Sequence, residues 1–283
     1  INLPGKNTGQ ESLWRMLLKT QHGADQDQCR RTMNKHGGEG LRFKNKLAYD
    51  LMKDIPQMMS ARTQFVHLYV KDETEGGSGI FEDYGLYTQV EQINGRYLRS
   101  HGLDNNGHLY KNEFFEFFRY EDSIKLATDP TFNLDDFETY LEIKGDTDHS
   151  KLIEMLEDVN DYSIPIEDTV EKWFDTENLY YWMAFHILIG NIDTEARNYF
   201  IYSPLNLNKF YFISWDNDGA FDLTENEVRG TSGRNGSWQT GISNYWGVVL
   251  FQRMYKNEEY RNGLTEVIET LRTQYLTEEK INN

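Results

Sequence analysis

Residues 190–221 read GNIDTEARNYFIYSPLNLNKFYFISWDNDGAF, and this stretch decides the fold. Two of its runs, NYFIY (198–202) and KFYFISW (209–215), are rich in aromatic and β-branched residues, as strands are. The turn-rich segment SPLNLN (203–208) joins these runs, so the stretch predicts a β-hairpin.

Side chains that carry oxygen lie at the ends of this hairpin. Asp193 and Asn198 come just before and at the start of its first strand. Asp216 and Asp218 follow its second strand. A hairpin brings these ends close together, so one pocket can gather all four donors, which are of the kind that Mg²⁺ prefers. The spacing Asp-x4-Asn followed by a strand-end Asp is typical of phosphoryl-transfer enzymes of the protein-kinase type. The alternative is that Asn and Asp merely favour turns.

The hairpin follows a predicted buried helix, TENLYYWMAFHILIG (176–190), which is apolar on nearly every side. A Thr/Glu/Asn cluster at 176–178 is expected to cap its start, and Gly190 is expected to end it. His186 lies on this helix and is expected to be a hydrogen-bonded core residue rather than a catalyst. Helical spacing recurs in three further segments, at 150–159, 166–174 and 246–275.

The N-terminal part is predicted to contain short strands around one helix. The segment RFKNKLAYDLMKDI (42–55) has apolar residues one turn apart and predicts the helix. TQFVHLYV (63–70) and LYTQVEQI (86–93) predict two paired strands, and the charged, glycine-containing segment 71–85 is expected to connect them as a long loop.

Glu91, Gln92 and Ile93 lie where the second of these strands ends, before a short helix predicted at 94–102. A strand that runs into a short helix fits the hinge of kinases, whose backbone N–H and C=O groups bind adenine. An ordinary strand end with polar residues is the alternative.

Composition limits the class of protein. The chain of 283 residues carries 46 acidic and 29 basic side chains, a net charge of −17. Nucleic-acid binding needs basic contacts to phosphates, so a nucleic-acid partner is not expected. The excess of acidic side chains instead indicates either a well-solvated surface or a cationic substrate. No apolar run approaches the roughly 20 residues of a membrane span. We predict an α+β fold of two lobes, with a β-rich N-lobe at 1–92 and a mostly helical C-lobe at 93–283.

Other metal sites fit the sequence less well. An EF-hand loop starting at Asp216 needs an oxygen ligand at its fifth position and glycine at its sixth, but these positions are Ala220 and Phe221. No pair of histidines has the spacing of a zinc enzyme, and the one cysteine excludes both a thiolate cluster and an intrachain disulfide.

Four stretches of the chain resemble the CotH family, the spore-coat protein H kinase-like proteins of bacteria with relatives in some fungi. The segment 41–55 resembles a family helix of the form R-N-K-L-(A/S)-x-D-L, and 66–111 resembles its strand, hinge and G-x-L-Y-K segment. The segments 190–202 and 210–221 resemble its Asp-x4-Asn-Tyr and Trp-Asp-x-Asp-x-x-Phe signatures. The likeness spans roughly residues 40–260.

The resemblance implies an atypical kinase-like fold that binds ATP with Mg²⁺ or Mn²⁺ and phosphorylates serine, or threonine, of a protein substrate. It implies that Asp193 is the catalytic residue and that Asn198 and Asp216 bind the metal. It further implies an auxiliary metal residue, Asp218, and an adenine hinge formed by Glu91, Gln92 and Ile93.

The chain departs from the family pattern in two places. The first strand of the family usually carries a basic pair, K-K-x-Y, that contacts phosphates, but Glu11 and Ser12 occupy these positions. Arg15 and Lys19 are the candidates to replace the pair as phosphate contacts. The kinase His-Arg before the catalytic Asp is replaced by Gly-Asn-Ile at 190–192.

The predicted activity is therefore that of an ATP-dependent protein serine kinase acting on a basic, Ser-rich spore-coat or surface protein. The kinase itself is expected in the spore coat, or secreted, or at the cell surface of a bacterium. A catalytically weak pseudokinase that binds nucleotide is one alternative. A surface adhesion or binding protein is another, because fungal members of the family act as surface ligands. A metal-dependent hydrolase is less favoured, because it would leave the hinge without a role.

Overall fold

The structure is a computed structural model that describes residues 14–19, 31–34, 43–74, 76–191, 193–221 and 247–282. For residues 14–19, Arg31 and Asn282 it describes the backbone only. Within these ranges the strands form two four-stranded sheets and the remaining elements are helices, which agrees with the predicted α+β class.

The N-terminal sheet contains β1 (Trp14–Lys19), β2 (Arg31–Asn34), β3 (Thr63–Asp72) and β4 (Phe81–Glu91). Its strand order is β1-β3-β4-β2, and every neighbouring pair is antiparallel. The predicted β3–β4 hairpin is confirmed, but its connector is shorter than the predicted 71–85, because β3 extends to Asp72 and β4 begins at Phe81, which leaves residues 73–80 between them. A diagonal side-chain contact also joins the two strands, since Nε2 of His67 on β3 lies 2.6 Å from Oδ1 of Asp83 on β4.

The C-terminal sheet contains β5 (His108–Asn112), β6 (Leu141–Ile143), β7 (Tyr199–Ser203) and β8 (Tyr211–Ser214). Its order is β6-β5-β7-β8, again antiparallel throughout. The predicted hairpin is β7 and β8, with Phe200 opposite Ile213. The sequence analysis predicted the β7–β8 hairpin but not β5 and β6. The part predicted to be mostly helical therefore also contains a four-stranded sheet.

The helices are α1 (Lys44–Met52), α2 (Gly95–Ser100), α3 (Leu134–Glu138), α4 (Ser150–Asn160), α5 (Ile166–Trp173), α6 (Thr176–Leu188), α7 (Val249–Lys256), α8 (Glu258–Thr270) and α9 (Glu278–Asn282), and a π-helical turn (Leu271–Tyr275) continues α8. The predicted cap of α6 is wrong by one position: Asp175 accepts the N–H of Asn178 over 2.9 Å. The predicted helix at 246–275 is divided at Asn257, whose side chain caps α8.

The two faces of the C-terminal sheet pack against different partners. Tyr199 and Ile201 of β7 belong to the main core, where the ring of Tyr199 lies 4.8 Å from that of Trp182 on α6. Phe200 and Tyr202 point to the other face and pack in a second cluster that includes α2. Because successive strand residues alternate between faces, β7 is fixed from both sides, and so are the loops at its ends.

None of the helices in these described ranges is long and apolar enough to cross a bilayer. The boundary predicted between residues 92 and 93 falls after the last strand of the N-terminal sheet, which ends at Glu91, and before β5. The division into lobes at 1–92 and 93–283 stays a prediction.

Candidate functional site

The loop between α6 and β7 brings Asp193 and Asn198 together. The Nδ2 of Asn198 donates to the carbonyl oxygen of Asp193 over 2.8 Å and to its carboxylate Oδ2 over 2.9 Å. The N–H of Asp193 donates to Oδ1 of Asn191 over 3.2 Å. Asn198 has a φ of 61°, in the left-handed region that Asn tolerates better than most residues. The Asp-x4-Asn spacing therefore forms one hydrogen-bonded turn.

Arg197 is a functional candidate that the sequence analysis missed. Its Nε donates to Oδ1 of Asp193 over 2.8 Å, and its Nη2 forms an ion pair with the same oxygen. The Asp193 carboxylate thus accepts from Arg197 at one oxygen and from Asn198 at the other. The sequence could have indicated this ion pair, because Asp193 and Arg197 carry opposite charges and lie four residues apart.

Asp216 lies at the end of β8, where the backbone turns with a φ of 51°. A non-glycine residue in this conformation costs roughly 1–2 kcal/mol, so surrounding contacts must hold it. The N–H of Asp216 donates to the hydroxyl oxygen of Tyr49 over 3.2 Å. Its Oδ1 accepts from Nδ2 of Asn34 over 3.4 Å and from Nδ2 of Asn45 over 3.5 Å. Side chains of the N-terminal part therefore reach this acid.

The carboxylates of the site influence one another electrostatically. Burial raises the pKa of Asp216 to about 6, and the charges of Asp218 and Asp193 add to this rise. The charge of Lys111 on β5 acts in the opposite direction. The charges of Asp218, Asp193 and Lys111 thus all act on Asp216, and Lys111 is a cation that the sequence analysis did not select.

Gly219 brings the two acidic segments into direct contact. A Cβ atom at this position would lie 2.9 Å from Cβ of Asp193 and 3.1 Å from Oδ1 of Asn191. The next turn is tied down as well, because the N–H of Phe221 donates to the carbonyl oxygen of Ile189 over 2.7 Å. The segment after β8 therefore packs closely on the loop after α6, with little room for a larger residue.

Buried polar side chains also connect the loop after α6 to the segment after β8 through hydrogen bonds. Nδ2 of Asn191 lies 3.4 Å from Oδ1 of Asn217 and 3.3 Å from Nδ1 of His186. The Nε2 of His186 lies 2.9 Å from Oγ of Ser214. Burial lowers the pKa of His186 to about 3, so its ring is neutral at physiological pH. The prediction that His186 is a hydrogen-bonded core residue is confirmed.

The acids and the carboxamide at this site are candidate ligands of a divalent cation. In the part of the chain that the structure describes, no group of three or more His, Cys, Asp or Glu side chains is placed to hold a metal ion. Asp216 and Asp218 with the carboxamide of Asn198 nevertheless supply the oxygen chemistry of Mg²⁺, which takes few protein ligands and keeps waters and phosphate oxygens. A cation would also offset the burial and the carboxylate repulsion that together raise the pKa of Asp216. The oxygen donors are thus of the type that Mg²⁺ or Mn²⁺ prefers, and binding of either ion here stays a prediction.

Glu91, predicted at the adenine hinge, holds the end of β4 in place. Its Oε2 accepts the N–H of Arg62 over 3.1 Å and lies 2.9 Å from Nε2 of His101, and its Oε1 accepts Oγ–H of Ser100 over 3.1 Å. Burial acts to raise the pKa of Glu91, but the hydrogen bonds and positive charges of His101 and Arg62 leave it lowered. Its carboxylate is occupied by these groups, so an adenine contact here would have to use the backbone.

Gln92, Ile93, Arg15 and Lys19 are the other residues predicted to contact the nucleotide. Gln92 is partly exposed, whereas Ile93 is buried in the cluster that contains α2. Arg15 and Lys19 lie on β1, opposite Lys71 and His67 of β3. The side chains of Arg15 and Lys19 lie outside what the structure describes, so their predicted phosphate contact stays a prediction.

Comparison with known proteins supports the resemblance found in the sequence. The family model described as CotH kinase protein matches residues 15–283, nearly the whole chain. None of the curated proteins searched matches the chain. The match covers the loop after α6, the β7–β8 hairpin and the acids that follow it, which are the segments that build the site. The family is one of kinases, which gives the chain the character of a phosphotransferase, and the protein belongs to the CotH kinase family.

Proposed function

We propose that the protein is an ATP-dependent protein kinase that transfers the γ-phosphoryl group of ATP to serine hydroxyls of a protein substrate. The observation that carries this proposal is the assembly of Asp193, Asn198 and Asp216 at one end of the hairpin, in a chain of a kinase family. The N-terminal sheet would form one lobe and the helical part with its own sheet the other, with ATP bound between them.

The proposed reaction is an in-line displacement at phosphorus. The serine oxygen forms a bond to the γ-phosphorus, the bond from that phosphorus to the bridging oxygen breaks, and ADP leaves with the electron pair. Asp193 accepts the serine proton, while Asn198 holds one carboxylate oxygen of Asp193 in position. Asn198 and Asp216, with Asp218 as an auxiliary residue, would hold Mg²⁺, which would supply charge neutralisation at the phosphates.

The nucleotide contacts follow from the same proposal. The proposed adenine contacts are backbone groups at Glu91, Gln92 and Ile93, since the Glu91 carboxylate is already engaged by Arg62 and His101. The N–H of Glu91 already donates to the carbonyl oxygen of Arg62 over 2.9 Å, so the proposed N–H donor to adenine is that of Gln92 or Ile93. Arg15 and Lys19 are the proposed phosphate contacts.

The deciding experiment is transfer from labelled ATP, with Mg²⁺ or Mn²⁺, to a basic Ser-rich protein. We expect labelling by the unmodified protein and none by Asp193→Asn or Asp216→Asn. Asp161→Asn is the matched control, because this exposed acid on the α4–α5 loop bonds only locally, to the N–H of Ser163 over 2.8 Å in the same turn. Equal labelling by the unmodified protein and both site variants would overturn the proposal.

We further propose a basic, Ser-rich protein of the bacterial spore coat or surface as substrate, because the net charge of −17 attracts cationic chains. Transfer to a basic peptide should then slow as salt increases, since salt screens exposed charges beyond about 10 Å. An unchanged rate from low to high salt would remove this part of the proposal.

A pseudokinase is the second candidate, and the ion pair between Arg197 and Asp193 is the observation that favours it. A guanidinium on the catalytic carboxylate competes with the serine proton for the same oxygen. Binding of labelled nucleotide without transfer would select this candidate. A gain of transfer in Arg197→Ala, with Arg197→Lys close to the unmodified protein, would assign the weak activity to this pair.

A further inference from the structure

Helix α1 presents two polar side chains to the segment that follows β8. Asn45 and Tyr49 are four residues apart and therefore lie on the same face of α1, and each is only 1% exposed. The same face also carries apolar residues that belong to the main core. A buried polar group on an otherwise apolar helix face is costly unless it has a partner.

Both side chains find their partners in the turn at Asp216 and Asn217. Oδ1 of Asn45 accepts the backbone N–H of Asn217 over 3.1 Å, and Nδ2 of Asn45 lies 3.5 Å from Oδ1 of Asp216. The hydroxyl oxygen of Tyr49 accepts the backbone N–H of Asp216 over 3.2 Å. Two consecutive backbone N–H groups of the turn are thus bound by one helix.

The turn depends on these contacts because it has left the sheet. β8 ends at Ser214, so the N–H groups of Asp216 and Asn217 are beyond the strand ladder. Asp216 also has a φ of 51°, a conformation that neighbouring contacts must maintain. Acceptors on α1 supply the hydrogen bonds that a strand would otherwise supply.

We propose that Asn45 and Tyr49 are positioning residues that hold Asp216 in its metal-binding orientation, so that the seating of α1 sets the cation affinity of the site. This inference rests on the proposed function, since it assigns Asp216 to a divalent cation. Residues that orient metal ligands typically affect metal affinity by about 10–100-fold when they are removed. A displacement of α1 would weaken the cation site without any change in the acids themselves.

The test compares Asn45→Ala with a matched control, Asn178→Ala. Asn178 is an equally buried asparagine that accepts a backbone N–H, from Phe212 over 2.7 Å, but it lies on α6 and serves the middle of β8. We expect Asn45→Ala to need about tenfold more Mn²⁺ for the same rise in melting temperature with MnCl₂ alone. Asn178→Ala should lower the melting temperature but leave the Mn²⁺ requirement unchanged.

A second variant keeps the inference testable if Asn45→Ala does not fold. Tyr49→Phe keeps the buried ring and removes only the oxygen that accepts the Asp216 N–H, so its Mn²⁺ requirement should rise by several-fold. A folded Asn45→Ala or Tyr49→Phe protein with an unchanged Mn²⁺ requirement would overturn the inference. Failure of the proposed function gives a different result: the unmodified protein would then bind Mn²⁺ without transferring phosphate, or would show no shift with Mn²⁺ at all.

Discussion

Glu91 and Asp216 are both carboxylates at the ends of strands, yet their surroundings shift their pKa values in opposite directions. Burial acts to raise the pKa of Glu91, but hydrogen bonds and charge from His101 and Arg62 lower it. Burial raises the pKa of Asp216 to about 6, and neighbouring carboxylates, with Asp218 first among them, add to the rise. One acid has its positive partners within the protein, and the other lies among acids.

The comparison separates a carboxylate whose partners lie within the protein from the carboxylate that we propose binds a cation. Glu91 is satisfied by its neighbours and stabilises the junction of β4 and α2. Among the described residues the Asp216 carboxylate accepts from two distant amide donors, at 3.4 and 3.5 Å, and this environment supports the proposal that it binds an external cation. Removing charge should consequently stabilise the protein at Asp216 and destabilise it at Glu91.

The largest expected effect is that of Asp216→Asn. This change should lower phosphoryl transfer by about a thousandfold, because it removes the electrostatic contribution of the ligand. It should also raise the free energy of unfolding at pH 8 by about 1–3 kcal/mol, because a buried, repelled charge is lost. Transfer assays and urea unfolding measure the two effects, and a loss of both activity and stability would contradict the functional role of Asp216.

Gly219→Ala should lower transfer by about a hundredfold, the cost typical of a 1 Å displacement of a catalytic group. The added methyl group would lie 2.9 Å from Cβ of Asp193, so one of the two segments must move. Gly95→Ala is the control, because its nearest heavy atom would lie at 3.5 Å, an ordinary contact. Steady-state rates of phosphoryl transfer measure both variants. Equal rates would show that the close approach of Gly219 to Asp193 does not affect transfer.

Glu91→Gln should reduce the free energy of unfolding by about 1–3 kcal/mol, since Arg62 and His101 would face a neutral amide. Transfer by the folded variant should stay near that of the unmodified protein. The control is Glu269→Gln on α8, an exposed partner of Arg272 at 2.7 Å, where no measurable change is expected. Chemical unfolding measures both variants, and a stable Glu91→Gln protein that no longer binds ATP would give the carboxylate a direct role.

The smallest effects are in the pH dependence of these stabilities, and they have opposite signs. Asp216 has a pKa of about 6 when folded against 3.8 ordinarily, so its charge costs stability increasingly as pH rises from about 4 to about 6. The gain from Asp216→Asn should therefore grow over this range and then level off. The folded pKa of Glu91 lies below 4.5, so the loss from Glu91→Gln should persist above pH 4.5 and shrink in stronger acid. Melting temperatures from pH 3.5 to 8 test both slopes.

The hairpin and its acids were predictable because their signals lie within one short stretch. Aromatic strands, a turn and the spacing of Asp193 to Asn198 all fall within residues 190–221. β5 and β6 were not predictable in the same way, because strands of five and three residues are too short to show a period. They are strands because β5 pairs with β7 and β6 pairs with β5.

The contacts made by α1 could not be read from the sequence either. Asn45 and Tyr49 lie within a helix that was predicted correctly, but the residues they bind are more than 160 positions away. Which polar residue on a buried helix face meets which turn depends on tertiary packing, and a single sequence does not reveal it. The contacts of the Glu91 carboxylate could not be read from the sequence either. Its position at the end of a strand suggested an adenine hinge, but Arg62 and His101, which engage its carboxylate, are distant along the chain or at the end of the following helix.

The wide separation of Asn45 and Asp216 along the chain also affects the order of events during synthesis. Their contact joins residues 171 positions apart, and the contact from Asn34 spans 182. At about 5–20 residues per second, a ribosome needs roughly 10–30 s between making the first partner and the second. During this interval the helix exists without the turn that it holds. A nascent chain therefore lacks these contacts until most of it has been made, and a chain cut short before residue 216 should lack the proposed activity.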